Sequence, residues 1–502
     1  ESRAIPMNFY LISRILGLLL TLEAVAMIVC GLFAKWDVVK GGNEAASMLF
    51  LSAAITGGVA LLAIIPGITK TKHDTIPKRE AIVIVGVGWI LCSVFGGLPY
   101  LLCPPYLTPA GAFFESASGF TTTGSSVMTV IEEWPRGILL WRATTQLLGG
   151  IGILVLFVAL LSYIGVSSKT LFHNESSFRS GDLGLARIQD TATMLLRIYI
   201  GLVLICLCGL KAMGLTWYNA TCHAFTTVAT GGLSPHSASI GHYAEWGDFW
   251  LIESWLIFFM ALCSLNFLLF IVVLRNNWKR VFKEEDARWF LGICLLVTIL
   301  IAAGRSYNDG ISILTSFREA AFTVVSIAST TGYGTVDYDQ WPSWSKVLIA
   351  CLMLMGGCAG STSGGFKVGR LIVFAKSARS EIIRTFRPSR VFRVVVNGNT
   401  IDDSARARIM FFITLYLMIC IAATAVVGFL EAGTGISLES CVGTVLATAL
   451  NIGPGFDAVG PTMNFAELRE PTKIFLGWIM ILGRLELFAL LVLFVPQLWK
   501  KY

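Results

Sequence analysis

Charged side chains are scarce in this sequence, and their scarcity excludes an ordinary soluble fold. Only 14% of its 502 residues are charged, whereas 55% are apolar, and a soluble domain carries about 25% charged residues. The apolar residues also form long runs, such as 11–31, 409–430 and 474–495. Each run is long enough to cross a bilayer core of roughly 30 Å as a helix. The composition therefore predicts an integral membrane protein.

Residues that would build a metal site or a catalytic site are also few. The 5 histidines show no metal-ligand spacing, and the cysteines form no CxxC pair. Acidic residues in or near the apolar runs form no repeated pairing motif; they are Glu23, Glu115, Glu253, Glu319 and Glu486. The sequence thus predicts no resident metal, no organic cofactor and no enzyme activity.

The distribution of basic residues predicts the topology. Ten full spans are expected, at 9–33, 46–68, 80–102, 136–163, 190–213, 249–274, 288–304, 345–375, 407–430 and 473–498. Four shorter stretches, near 109–130, 215–238, 315–337 and 437–460, all fall on one side. Most Lys and Arg lie in loops on the other side, above all in the basic loop at 377–406. By the positive-inside rule both termini are cytoplasmic, and the net charge of +7 reflects topology, not nucleic-acid binding.

The chain after the first two spans repeats one pattern four times. Each repeat has a span, a short semi-apolar stretch, a turn centred on glycine and another span. The turns are Thr121-Thr122-Thr123-Gly124-Ser125, Val228-Ala229-Thr230-Gly231-Gly232, Thr330-Thr331-Gly332-Tyr333-Gly334 and Asn451-Ile452-Gly453-Pro454-Gly455. The short stretches cannot span the bilayer and predict re-entrant pore helices. Non-helical backbone at that depth is tolerated only where it is buried in protein or lines water.

Glycine has a physical role at such a turn. A dehydrated cation needs a cage of carbonyl oxygens, and successive carbonyls that point inward require backbone angles that glycine adopts without steric cost. A pore helix that ends at the cage also directs its partly negative C-terminus at the cation. Four glycine turns on one face therefore predict a cation pore lined by carbonyl oxygens, as in potassium channel filters.

The sequence resembles the Trk/Ktr/HKT superfamily of cation transporters over nearly the whole chain after the first two spans. Thr-Thr-Gly-Tyr-Gly of repeat three is close to the potassium channel signature, while the other repeats are degenerate, as in that superfamily. The extra N-terminal pair of spans and the basic loop look most like its bacterial Trk-type membrane subunit. The resemblance implies a homodimer with one pore per subunit, a cytoplasmic nucleotide-binding regulatory ring as partner, and a place in the bacterial inner membrane.

Together, pattern and resemblance predict an all-α polytopic membrane protein in which four repeats surround a pseudo-fourfold axis. The expected units are an N-terminal helical pair (1–70), pore repeat 1 (71–165), pore repeat 2 (166–275), pore repeat 3 (276–376), the basic cytoplasmic loop (377–406) and pore repeat 4 (407–502).

The predicted selectivity filter consists of the central glycines and their neighbours. These residues are Thr122, Thr123, Gly124, Thr230, Gly231, Thr331, Gly332, Ile452 and Gly453. Their backbone carbonyls are expected to bind the transported potassium ion. In the superfamily, glycine at all four central positions accompanies potassium selectivity, and serine at the first accompanies sodium transport.

A second candidate site interrupts the last span of repeat three. Glycine makes up five of the ten residues at 356–365, and glycine is a poor helix former. We expect an unwound loop, and the resemblance implies that it lies under the filter as a gate. Its expected gate residues are Gly356, Gly357, Gly360, Ser361, Thr362, Gly364 and Gly365. The alternative is a small-residue packing face between helices.

Arg484 lies in the middle of the last span, where a charge costs roughly 2.5–3.5 kcal/mol on insertion scales. Glu486 is two residues further on, near the opposite helix face, and is therefore a poor partner. The resemblance implies that Arg484 lies near the gate loop, and the alternative is a structural ion pair with another helix. Lys367 and Arg370 are expected to be inside-facing anchors. The basic residues 384–393 could bind anionic lipid headgroups or dock the regulatory partner.

The leading functional hypothesis is a gated, channel-like potassium uptake pore. The alternative within the same class is a potassium symporter coupled to protons or sodium, which the sequence does not exclude. A membrane enzyme and a non-conducting scaffold or receptor are the competing classes. The first apolar run is too long for a secretory signal, so we expect it to be a span.

Overall fold

The computed structural model is almost entirely helical, which confirms the predicted all-α class. It describes residues 7–37, 41–70, 77–163, 188–274, 276, 281, 283–387 and 393–499. The helices are α1 (Phe9–Trp36), α2 (Gly42–Lys70), α3 (Lys78–Phe95), α4 (Leu98–Leu102), α5 (Pro109–Phe120), α6 (Arg136–Tyr163), α7 (Ile188–Ala212), α8 (Trp217–Val228), α9 (Phe249–Cys263), α10 (Leu268–Leu274), α11 (Glu285–Asn308), α12 (Ile313–Ala328), α13 (Ser343–Met355), α14 (Val368–Phe386), α15 (Asp403–Leu430), α16 (Leu438–Ala449), α17 (Glu470–Arg484), α18 (Phe488–Leu491) and α19 (Pro496–Trp499).

Some predicted features lie outside the described residues. They are residues 164–187, where predicted repeats 1 and 2 meet, residues 388–392 of the basic loop, and residues 71–76 and 500–502.

Long apolar helices supply the membrane spans. Within the described residues, six have the length and apolarity to cross a bilayer, and two bent helix pairs could each supply one more. The predicted number of ten spans therefore stays a prediction. The short helix expected in each repeat is present as α5, α8, α12 and α16. A Thr or Ser hydroxyl accepts a hydrogen bond from the first turn of α5, α8 and α16, as an N-cap does.

Two of the predicted full spans, 249–274 and 473–498, are bent in the structure, which the sequence did not predict. Helices α9 and α10 meet at 102°, and α17 meets the segment that starts with α18 at 115°. At the first break, the Cys358 amide donates to the Ser264 carbonyl at 2.8 Å and the Phe267 amide donates to the Gly360 carbonyl at 3.0 Å. The broken span thus satisfies its backbone groups through the interrupted span of repeat three, where the unwound loop was predicted.

The basic loop contains structure that was not predicted. Helix α14 continues to Phe386, and two strands, β1 (Val394–Val396) and β2 (Asn399–Ile401), form an antiparallel hairpin. The turn residues Asn397 and Gly398 both have positive φ, as a two-residue hairpin turn requires. The Asn397 amide donates to the Glu285 carboxylate at 3.2 Å, which docks the hairpin on the start of α11.

Apolar packing joins the N-terminal helix pair to the first repeat. Buried residues of α1 and α2, including Met27 and Leu49, form one cluster with Trp141 of α6. The largest cluster lies around the other three repeats and includes Phe322 and Ile452. The four short helices end inside this packed region, which places their C-termini near one another.

Candidate functional site: a ring of four turns above an interrupted helix

The four short helices end in the same way. The residue one position past each C-cap has left-handed backbone geometry: Thr122 (φ 52°), Thr230 (φ 53°), Thr330 (φ 57°) and Asn451 (φ 55°). The next amide in each repeat donates to the carbonyl five residues earlier, at 2.8–2.9 Å. This is the Schellman arrangement, and it redirects the chain out of the helix at four equivalent points.

A glycine with positive φ follows two residues after each left-handed residue. These glycines are Gly124 (φ 90°), Gly232 (φ 73°), Gly332 (φ 80°) and Gly453 (φ 107°). In repeat two we predicted Gly231 at this position. The structure has Gly232 there, one residue further along the chain. Gly231 is instead equivalent to Thr123, Thr331 and Ile452, and Thr230 is equivalent to Thr122.

The four turns contact one another in a closed cycle. A methyl group added at Gly124 would overlap the carbonyl oxygen of Gly231, one at Gly232 that of Thr331, and one at Gly332 that of Ile452. The cycle closes at Gly453, where an added methyl group would lie 3.1 Å from the carbonyl oxygen of Thr123. Each glycine therefore packs on the preceding carbonyl of the next repeat, and we call this arrangement the glycine ring.

Side chains hold the glycine ring from behind. The Ser125 hydroxyl donates to the Gly453 carbonyl at 2.8 Å, and the Gln146 amide donates to the Gly231 carbonyl at 2.6 Å. The side-chain amide of Asn451 donates to the Thr123 hydroxyl at 2.8 Å, and this bond joins repeats four and one. A carbonyl oxygen has two lone pairs, so each bonded carbonyl retains capacity for a cation.

The sequence did not predict the supporting roles of these three residues. Gln146 had a usable signal, because a polar amide within an apolar span is a candidate functional residue by default. Ser125 and Asn451 stand inside the quoted turns, but their side-chain partners lie in another repeat. No local pattern could have found those partners.

The predicted unwound loop is present below the glycine ring. Residues 356–367 contain no helix, and Gly356, Gly360, Gly365 and Lys367 have positive φ. The loop folds back on itself, since a methyl group at Gly356 would overlap the Gly364 carbonyl. We call residues 356–367 the intramembrane loop. A continuous small-residue packing helix, the alternative that the sequence left open, is excluded by this backbone.

The intramembrane loop is bound to the ends of three of the four short helices. The Thr362 hydroxyl donates to the Val228 carbonyl of repeat two at 3.2 Å. The Gly364 amide donates to the Thr330 hydroxyl of repeat three at 2.7 Å. The Gly365 amide donates to the Leu450 carbonyl of repeat four at 3.1 Å. The loop thus caps the helix C-termini directly beneath the turns.

Arg484 bonds to the same loop. Its side chain is 3% exposed, and Nη1 donates to the Thr362 carbonyl at 2.7 Å. No carboxylate pairs with Arg484 in the described part of the chain. Glu486 pairs with Arg370 instead. It lies past the end of α17, in the break before α18, with left-handed backbone geometry (φ 52°), so it was rightly predicted to be a poor partner, although not because of its helix face.

Lys367 departs from its predicted role as an anchor at the inner surface. It is 7% exposed, and its amine donates to the Ser363 carbonyl within the intramembrane loop. Arg370 is also buried, and its guanidinium stacks over the Phe412 ring at 4.3 Å. Both cations therefore stabilise the loop and its neighbours from within the protein.

The comparisons with known proteins identify the family. A family model described as "TrkH: Cation transport protein" matches residues 52–501. The chain belongs to this family. The Trk system potassium uptake protein TrkH of Salmonella typhimurium is 33% identical over 499 residues, which cover 99% of this chain and 100% of that protein. The Trk system potassium uptake protein TrkI of Halomonas elongata is 33% identical over 452 residues and covers 90% of each chain.

A solved structure of this family has the same architecture. It is the crystal structure of the potassium transporter TrkH from Vibrio parahaemolyticus, with a TM-score of 0.87 and 29% identity. The match covers 98% of this chain and 100% of that one. The resemblance predicted from the repeats is therefore confirmed. The TrkH family consists of membrane transport proteins, which also confirms that the chain is not an enzyme.

Proposed function

We propose that this protein is a potassium-selective, gated, channel-like uptake pore, with the glycine ring as its selectivity filter. The observation that carries the proposal is the closed cycle of four glycine-to-carbonyl contacts at the C-termini of four short helices. The relatives named as potassium uptake proteins support potassium as the transported ion.

The chemistry of the ring fits a potassium ion that has lost most of its water. Carbonyl oxygens replace the hydration shell of the ion in such filters. The residues proposed to supply them are Thr123, Gly231, Thr331 and Ile452, with Gly124, Gly232, Gly332 and Gly453 next to them. The left-handed turns at Thr122, Thr230, Thr330 and Asn451 place these carbonyls past the partly negative ends of the helices, which favours a cation.

The intramembrane loop and Arg484 are proposed to form the gate. The loop lies against the helix ends that carry the filter, and Arg484 adds a positive charge at the loop's centre. A fixed cation beside a cation path raises the barrier to the next cation. Opening would require the Thr362 contacts to break, because they hold the loop against repeat two and against Arg484.

We further propose the cellular arrangement that the resemblance implied. The protein lies in the inner membrane with both termini in the cytoplasm, forms a homodimer and binds a cytoplasmic nucleotide-binding regulatory ring. The basic end of α14 and the hairpin β1–β2 are the surface proposed for that partner. Positive charge near residue 384 supports this, but it equally suits anionic lipid headgroups.

Ion flux in proteoliposomes tests the proposed function. Purified protein should take up potassium and rubidium and should largely exclude sodium and lithium. A passive pore gives a reversal potential that follows potassium alone, whereas a symporter gives one that shifts with pH or with sodium. Equal uptake of all four cations would contradict the filter, and no uptake above empty liposomes would contradict a pore.

A further inference from the structure

A buried ion pair lies behind the filter turns of the first two repeats. Glu115 of α5 is 0% exposed and Arg142 of α6 is 2% exposed. Arg142 Nε donates to Glu115 Oε1 at 2.6 Å. The function proposed above does not use either residue, although a charged pair at membrane depth is costly and marks a functional position by default.

Other polar contacts of the pair are made with residues that follow the filter turns. The Glu115 carboxylate accepts the Val127 amide at 2.9 Å and the Ser126 hydroxyl at 3.1 Å. Arg142 Nη1 donates to the Ser234 carbonyl at 2.9 Å. Ser126 and Ser234 occupy equivalent positions, each two residues after the positive-φ glycine of its repeat. One ion pair therefore fixes the same point on two neighbouring filter turns.

The pair is also linked to the fourth repeat, through Ser126. The Ser126 carbonyl accepts the Phe465 amide at 2.8 Å. Ser125, which lies directly before Ser126, donates its hydroxyl to the Gly453 carbonyl of the ring. A shift of Ser126 would therefore move a donor that contacts a filter carbonyl.

Of the four repeats, only the first has an acidic residue at the position of Glu115. Counted back seven residues from the left-handed turn residue, the positions equivalent to Glu115 are His223, Thr323 and Thr444. In repeat three the backbone after the turn is held by a neutral bond between other positions, from the Ser326 hydroxyl to the Tyr333 carbonyl at 2.7 Å. Buried ion pairs add little net stability but can specify one geometry. Stability alone therefore does not explain the pair.

We propose that Glu115 and Arg142 are positioning residues for ion selectivity. They set the spacing of the filter turns of repeats one, two and four from behind, without contacting the ion. This inference rests on the proposed function of the glycine ring as the filter.

The test compares matched variants in proteoliposomes. Glu115→Gln keeps the shape of the side chain but removes its charge. We expect the potassium-to-sodium flux ratio of the folded protein to fall by about fivefold or more, as for residues coupled in one network. The control is Glu253→Gln. Glu253 is also buried, at 1% exposure, and pairs with Arg318 at 3.1 Å near the start of α12, away from the glycine ring.

A second variant keeps the inference testable if Glu115→Gln does not fold. The double variant E115Q/R142Q leaves no unpaired charge and is expected to fold, because an uncompensated buried charge is the main cost of breaking such a pair. It should lower the flux ratio as well, whereas Glu253→Gln should lower only thermal stability.

The outcomes separate this inference from the filter proposal. If Gly124→Ser lowers the flux ratio while folded Glu115→Gln and E115Q/R142Q keep the parent's ratio, the positioning role is overturned and the filter stands. If Gly124→Ser also leaves the ratio unchanged, the filter itself is overturned. If Glu253→Gln lowers the ratio as much as Glu115→Gln does, the effect is general destabilisation and the inference is again overturned.

Discussion

The guanidinium of Arg484 donates a hydrogen bond of 2.7 Å to the backbone carbonyl of Thr362. Thr362 in turn donates its hydroxyl to the Val228 carbonyl, at the end of the short helix that leads into one turn of the glycine ring. A single residue of the intramembrane loop thus joins the last span to the underside of the glycine ring. Any movement that opens a path through the loop must break or carry along this connection.

The first prediction concerns the charge at Arg484. A unit charge 4 Å away raises the energy of a cation by roughly 4 kcal/mol at an effective dielectric of about 20. Arg484→Ala should therefore increase potassium leak by about tenfold or more. The measurement is rubidium uptake per folded protein without any regulatory partner.

Arg484→Lys is the matched control for that substitution. It keeps the charge but loses the rigid guanidinium fork, so its leak should lie between those of the parent and Arg484→Ala. A purely structural role predicts a different result, in which Arg484→Ala lowers expression and thermal stability while flux per folded protein stays the same.

The second prediction concerns access to the intramembrane loop. Ser361 and Thr362 are 4% and 0% exposed, so a cysteine at either position should react slowly with a water-borne thiol reagent in the closed state. Reaction should become about tenfold faster when the pore opens, because an open loop admits the reagent; a factor of ten corresponds to about 1.4 kcal/mol. Deleting part of residues 356–365 should also raise potassium flux without the partner.

Native thiols set the background for this labelling. Cys208 and Cys351 are exposed and Cys358 lies within the loop, so the parent for labelling should carry alanine at all three. Labelling rates that are equal in open and closed states, together with unchanged flux in the deletion, would show that the loop is not a gate.

The third prediction tests the register of repeat two. Gly232 has φ 73°, and a methyl group there would overlap the backbone carbonyl of Thr331. At Gly231 the methyl group would meet the Gln146 side chain, which can move. Gly232→Ala should therefore reduce the potassium-to-sodium flux ratio by about tenfold, or block folding, since a strained backbone site costs about 1–3 kcal/mol.

Gly231→Ala should have a smaller effect than Gly232→Ala. The comparison requires flux ratios and melting temperatures of both variants. A larger loss of the flux ratio for Gly231→Ala than for Gly232→Ala would instead support the register predicted from the sequence.

The fourth prediction concerns Gly124 and Gly332. A serine at either position would add a Cβ against a carbonyl of the next repeat, at a backbone φ that serine adopts only with strain. Both Gly124→Ser and Gly332→Ser should lower the potassium-to-sodium permeability ratio, and Gly332→Ser at least as much. If both variants fold, conduct and keep the parent's ratio, these glycines do not form the filter.

The fifth prediction concerns pH at the outer loop of repeat two. The rings of His236 and His242 stack with centroids 3.7 Å apart. Burial, and next the repulsion of His242, lower the pKa of His236 to about 4. The unfolded chain binds a proton near pH 6.5 and the folded loop does not, so the free energy of unfolding should fall as pH drops below about 6.5.

Thermal melting at pH 7 and pH 5 measures this effect. His236→Gln should melt with a smaller difference between the two pH values than the parent. Nearby Glu132 does not confound that range. Although its partial burial favours the neutral form, its bonds to Ser237 outweigh that effect and hold the carboxyl pKa below its usual value. An identical pH dependence in both proteins would rule out His236 as the cause.

The sequence by itself determined the membrane class, the four repeats and the non-helical loop at 356–365, which the structure extends to 367. These features follow from local properties, namely the length of apolar runs, the density of glycine and the residues of tight turns. The hairpin β1–β2 also follows from a local property of the sequence, because an Asn-Gly pair such as Asn397-Gly398 is typical of a hairpin turn.

Only the tertiary structure decided the register of repeat two and the breaks in two spans. Gly231 and Gly232 both tolerate positive φ, so the choice depends on packing against Thr331 of the next repeat. The break after α9 depends on backbone hydrogen bonds that Ser264 and Phe267 form with the intramembrane loop. The Glu115–Arg142 pair likewise joins elements that no local window contains. Chain segments far apart in sequence supply these partners, and folding alone brings them within hydrogen-bond distance.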